Sequence, residues 1–122
     1  MNISIRQKEE FAILDIQTPR LDANSVVVLK EILFQLINED KRKVLINFAN
    51  VTEVDSLAIG CIMAANQLSL IYGHKIGLFN VITDVLLLFY VVKMDKHVNI
   101  YMSEIDALKN KNSLVKRDFK VV

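Results

Sequence analysis

The chain has 122 residues, 52% hydrophobic and 24% charged, which suits one domain over residues 1–122, burying roughly two thirds of its unfolded surface without a metal or disulfide staple. Fifteen basic and fourteen acidic residues leave a net charge of +1, so no overall field attracts nucleic acid. The one cysteine, Cys61, excludes an intrachain disulfide.

In chain order, residues 1–20 alternate polar and apolar positions and lack the apolar core of a secretory signal, which sets the expectation of a cytoplasmic protein. Ile3 and Ile5 alternate with polar neighbours, Gln7 to Glu10 interrupts, and Phe11 to Ile16 resumes an apolar run, the pattern of two strands joined by a hairpin. Thr18-Pro19 closes the second strand. From Asp22 the spacing turns helical, with Val28, Leu29, Ile32, Leu33 and Leu36 recurring at three and four residues, and Asp22 or Asn24 is available as the cap. The polar run Asn38 to Lys43 ends that helix, Val44 to Phe48 reads as a strand, and Ala49 to Asp55 as a polar connection.

A second helix is predicted from near Ser56 to Gly73, with Ile59, Ile62, Met63, Asn66 and Leu70 on neighbouring turns and the glycine as its stop. Lys75 to Phe79 reads as a strand, Thr83 to Val92 as a short buried helix, and His97 to Tyr101 as a last strand. Ser103 opens a final helix through a Ser-x-x-Asp variant of the capping box with Asp106. Residues 110–122 alternate weakly, as an added edge strand or a flexible tail. The repeated strand-helix-strand steps imply parallel pairing with right-handed crossovers. The expected fold is therefore α/β, a mixed sheet with helices mainly on one face and the amino-terminal hairpin at the edge. The longest unbroken apolar run, Val85 to Val92, is far shorter than the ~20 residues a membrane-crossing helix needs.

Four stretches together carry a family resemblance: Phe11-Ala-Ile-Leu-Asp-Ile, Arg20-Leu-Asp-Ala-Asn24, Val44-Leu-Ile-Asn-Phe-Ala-Asn-Val51 and Val54-Asp-Ser-Leu-Ala-Ile-Gly60. They resemble the STAS domain of bacterial anti-sigma factor antagonists, and Gly73-His-Lys-Ile-Gly-Leu-Phe-Asn80 and Ser103-Glu-Ile-Asp-Ala107 follow in the family's order. The resemblance implies a STAS-like sheet and a regulatory binding module without catalytic residues or a cofactor. The implied partner is an anti-sigma factor that is also a serine kinase of the histidine-kinase-like ATPase type, whose capture frees a sigma factor. In that family the motif Asp-Ser-Ser-Gly-Leu-Gly carries the phosphorylated serine at its third position. Here Asp55, Ser56 and Gly60 match the first, second and sixth positions, whereas Leu57 replaces the phosphorylated serine and Ala58 the glycine. Asn47 stands where the family often has an aspartate.

The resemblance marks Asp55, Ser56 and Leu57 as the switch segment and Ile59, Gly60 and Met63 as the adjoining partner-binding surface. Ser56 is a candidate phosphorylation site because it lies at a loop-to-helix junction, where free N–H groups favour negative charge. Asp55 and Glu53 oppose that charge, and a plain helix cap by Asp55 or Ser56 accounts for the same residue types. Leu57 reads either as a permanently available apolar contact or as a core residue in a shifted register. An ABC lipid transporter or another signalling assembly, with this chain as its small STAS subunit, is the alternative function.

The remaining polar residues read as structural. His74, His97 and Cys61 lack metal-ligand spacing. Cys61 reads as a small core residue, His74 as a cap at a helix carboxyl end, and Asp15, Asp22, Asn47 and Asp55 as turn and cap residues. No glycine-rich phosphate loop accompanies them. An all-apolar helix over Val85 to Val92 requires burial on every side or cover by another chain, with Leu87, Phe89 or Tyr90 facing a partner; a homodimer stays open.

Overall fold

The computed structural model describes residues 2–114. Strands β1 (Ile3–Lys8) and β2 (Phe11–Ile16) form the predicted hairpin, and β4 (Lys43–Asn47), β6 (Gly77–Phe79) and β7 (Asn99–Tyr101) continue the sheet. Its order is β1-β2-β4-β6-β7, antiparallel only between β1 and β2. Two further strands, β3 (Arg20–Leu21) and β5 (Glu53–Val54), pair in parallel as a separate ribbon inside segments that periodicity reads as connections. Two residues are too few to generate an alternating signal.

Register sets the core. Leu14, Ile46, Leu78 and Ile100 align in one row across the four parallel strands, each at most 1% exposed. Over that face lie α1 (Ala23–Phe34), α2 (Ser56–Ile71) and α3 (Thr83–Val91), contributing Leu29, Leu33, Ile62 and Phe89 to the same core. The alternate positions Ile13, Leu45, Phe79 and Tyr101 face the other way, where α4 (Glu104–Lys109) covers them with Ala107 and Leu108. The helices thus lie mainly on one face, with the hairpin at the edge. At about 1.5–3 kcal/mol for each large side chain, burial in these two layers is the main stabilising term.

Helix α1 is capped by Asp22, whose Oδ1 accepts from the backbone N–H of Asn24 at 3.0 Å and Ser25 at 3.2 Å. It runs on into a π-helical turn, Gln35–Glu39, that buries Leu36 and Ile37 before β4. Val28, predicted to face the core, is instead exposed beside Val27.

Helix α2 departs from its predicted phase by about one residue. Its buried stripe is Ala58, Cys61, Ile62, Ala65, Asn66 and Ser69, while Ile59 and Met63 are half-buried and Leu70 is exposed. The helix is apolar nearly all round, so hydrophobicity alone cannot fix its phase; its close approach to α1 accommodates small residues in the buried stripe. Cys61 is buried, as expected, and burial pushes its thiol up. The predicted stop at Gly73 is realised with φ +81°, Gly73 N–H donating to Leu70 and His74 N–H to Ser69.

Helix α3 is the largest correction. Val85 and Phe89 enter the core, and Phe89 meets Phe48 edge-on at 5.7 Å. Leu87 and Val91 are 55% and 78% exposed. A helix resting on one edge of a sheet can bury only the stripe facing it, so burial on every side fails. The final helix starts at Ser103, whose hydroxyl accepts from Asp106 N–H at 3.2 Å. The Asp106 carboxylate accepts from Asn112 instead of reaching back to complete the box. Beyond α4, Ser113 bridges antiparallel to Tyr101 and Leu114 N–H donates to Ile100, so the tail begins along the β7 edge; residues 115–122 lie outside the described residues.

Two buried polar side chains in α2 make opposite predictions. Asn66 accepts from Ile76 N–H at 2.9 Å and donates to His97 C=O at 3.1 Å, tying α2 to the entrances of β6 and β7. Asn66→Ala orphans both backbone groups and should cost about 2–4 kcal/mol. Ser69 Oγ is buried without a hydrogen-bond partner, so Ser69→Ala should gain about 1 kcal/mol. Urea unfolding of the two variants reads both signs.

Candidate functional site

The site assembles where two helix starts meet. Pro19 C=O accepts from the N–H groups of Thr52 at 2.8 Å and Glu53 at 3.1 Å, and Leu21 C=O accepts from Asp55 N–H at 3.0 Å. These bonds hold the segment before α2 against the segment before α1. Asp22 and Asp55 cap the two helices, Asp55 Oδ1 accepting from Ala58 N–H at 3.0 Å. A shallow pocket of about 210 Å3 lies between them, lined by Arg20, Leu21, Asp22, Glu53, Val54 and Asp55. Arg20 and Glu53 pair across it at 3.1 Å, both well exposed, which contributes little to stability.

With Asp55 as cap, Ser56 occupies the first helical position and is exposed. Leu57 is 57% exposed, so it is not a core residue in a shifted register. From Leu57 the outward face of α2 continues through Gly60, Ala64, Gln67 and Ile71, all exposed. No charged residue occurs anywhere in α2. Of the adjoining residues singled out from sequence, Gly60 joins this face, whereas Ile59 and Met63 pack partly against the core. Ala64 and Ile71 belong to it without having been expected; their spacing of seven on an uncharged helix was the available signal.

Gly60 has no positive φ, and a Cβ built on it would meet nothing within 4 Å. A mid-helix glycine costs about 0.5–1 kcal/mol relative to alanine, and nothing in the fold requires this one.

A second cluster shapes the connection from β4 to the site. Asn47 Nδ2 donates to Asp15 Oδ1 at 2.9 Å, while its Oδ1 accepts from Ala49 N–H at 3.0 Å and Asn80 Nδ2 at 3.2 Å. An aspartate at this position could not donate to Asp15, which explains the amide. Arg6 holds the other side of Asp15 through Nε at 2.5 Å and Nη2 at 3.0 Å, and also reaches Glu104. Lys8 Nζ lies 3.1 Å from Glu104. Burial alone would raise the Asp15 carboxyl, but hydrogen bonds from Arg6 and Asn47 and the Arg6 charge hold it below its usual range. Hydrogen bonding from Arg6 is the leading cause that lowers the Glu104 carboxyl. This network fastens the β1-β2 edge to α4.

A mixed sheet with three helices over one face, and an exposed segment clamped ahead of α2, defines a small α/β domain that presents one uncharged helix face. The chain belongs to the STAS-domain family: the family's model matches residues 2–107. A Thermotoga maritima protein proposed to be an anti-sigma factor antagonist superposes with a TM-score of 0.80 at 18% identity, over 88% of this chain and 92% of that one. A STAS-domain anti-sigma factor antagonist protein from Planctomyces limnophilus gives 0.79 at 17% identity, over 88% and 95%. The Bacillus cell-fate determinant SpoIIAA in its phosphorylated form gives 0.69 at 14% identity, over 89% and 98%. No curated protein sequence matches the chain significantly. Among the described residues no helix is long and apolar enough to cross a membrane.

The lowered carboxyls set a pH dependence. Ionised Asp15 and Glu104 contribute their stabilisation in full above their unfolded pKa values, and it is lost as pH falls through the lower folded ones. Arg6→Met should cost about 1–2 kcal/mol at pH 7. The gap between variant and parent should close below about pH 4, as read by denaturant unfolding across pH.

Proposed function

We propose that this chain is a regulatory binding module that captures an anti-sigma factor kinase of the histidine-kinase-like ATPase type and thereby frees a sigma factor. The observation carrying the reading is Leu57: an exposed apolar side chain at the motif's phosphoserine position, at the head of an uncharged helix face. A leucine accepts no phosphate, so contact there does not depend on the phosphorylation state of that position. An apolar centre with charged residues around it is what a protein-binding patch requires, and Arg20, Glu53 and Asp55 supply the rim. Ser56 is the remaining phosphate acceptor of the segment. The helix start favours an added phosphate there, which would set negative charge beside Leu57 and repel an acidic partner surface.

Gly60 extends the reading along α2, since a bare Cα lets a partner backbone approach more closely than any side chain would allow. The domain supplies no chemistry in this scheme; its output is a complex.

Affinity purification of the tagged chain from its native cells, with mass spectrometry of bound proteins and of the Ser56 peptide, tests the partner. Recovery of a histidine-kinase-like ATPase supports the reading, and recovery of a transporter ATPase moves the function to the transporter-subunit alternative. With the partner in hand, Leu57→Glu should weaken binding by at least about tenfold, the scale of a central contact, with an unchanged melting temperature. Gly60→Ala should stabilise the free domain by about 0.5–1 kcal/mol and still weaken the complex. Unaltered affinity in both variants would falsify the docking face.

A further inference from the structure

A second concavity lies at the other end of the sheet, where β2, β4, β6 and β7 begin, on the face covered by α4. It is an open cleft of about 360 Å3, at the small end of the roughly 300–1,000 Å3 range for organic ligands. Its apolar lining comes from Phe11, Leu45, Tyr101, Ala107 and Leu108. Gly77 makes room for that lining: a Cβ there would lie 2.5 Å from Leu45 Cδ2 and 3.2 Å from the Tyr101 ring. The Tyr101 hydroxyl donates to Asn110, which fixes the ring in place.

The polar lining is one-sided. Lys43, Lys75 and Lys109 are among the residues lining it, against one acidic residue, Glu10. Lys43 Nζ is 3.6 Å from Glu10 and 5.9 Å from the Phe11 ring centre. Among the described residues neither Lys75 nor Lys109 enters an ion pair. In a chain of net charge +1, this is a local excess of positive charge, which an anion would offset.

We infer that this cleft binds a small amphipathic anion, a short acyl or aryl group ending in a carboxylate or phosphate. The apolar part lies over Leu45, Tyr101 and Leu108, and the anionic end sits among the three lysines. The cleft is on the far side and at the opposite end of the sheet from Leu57, so the assignment stands or falls independently of the partner reading.

Amide chemical shifts of the full chain, titrated with octanoate, octyl phosphate, octanamide and inorganic phosphate, provide the test. Octanoate or octyl phosphate should shift Leu45, Tyr101 and Leu108 saturably while Leu57 and Gly60 stay fixed, and whichever binds more tightly identifies the head group. Octanamide should bind roughly tenfold more weakly, the scale of losing one charge-assisted hydrogen bond. The double variant Lys43→Gln, Lys109→Gln should lose a similar factor, its melting temperature confirming that it is folded. Absence of saturable shifts, equal binding of octanamide, or undiminished binding by the folded double variant overturns the proposal. Inorganic phosphate binding as tightly as either octyl compound overturns it as well, because the apolar lining would then contribute nothing.

Discussion

The row Leu14, Ile46, Leu78, Ile100 is the constraint on which the rest depends. Four adjacent strands run in parallel only if crossovers return each chain segment to the same end, and a buried apolar row makes any other register expensive. A slip of one residue would turn Asp15 and Asn47 into the core under α1–α3 and move Leu14 and Ile46 to the face under α4. Once that row is in place, all four parallel strands begin at one end and finish at the other. The finishing end carries the Asp15-Asn47-Asn80 contacts and, beyond β4, the segment that leads to α2. The starting end carries the lysine-rimmed cleft.

From that division follows how the site is held. The residues ahead of α2 make no part of the main sheet; they are hydrogen-bonded to Pro19 and Leu21, so the connections after β2 and after β4 jointly position Asp55. Asp55 then fixes the first turn of α2, and the turn fixes where Ser56 and Leu57 lie. Asn66 anchors the same helix from its buried side to the entrances of β6 and β7. The exposed face of α2 is thus carried on a helix tied down at its start and along its back. Such a rigid mounting suits a contact surface, because little ordering remains to be done on binding.

Much of this was legible in the residues themselves. The caps, narrowed to Asp22 or Asn24, to Asp55 or Ser56 and to Ser103, the stop at Gly73 and the hairpin are local devices, each set within a few residues by hydrogen-bonding groups or backbone freedom. The alternation in β1 was readable for the same reason. What escaped were features settled by neighbours distant in sequence: the ribbon of β3 with β5, the phase of α2, and the exposure of α3. Helices as apolar as α2 and α3 give no contrast between faces, so only the position of the sheet determines which side is buried.

The sequence by itself determined the α/β class, the order of the main elements and the family, because period, caps and motif spacing are local quantities. Tertiary structure alone decided that Leu57 is exposed and continues into Gly60 and Ala64, that Arg6 fastens both Asp15 and Glu104, and that three lysines far apart in the chain rim one cleft. Those outcomes depend on strand register and on which element covers which face. Both are set by the packing of the whole chain, and no window of neighbouring residues contains them.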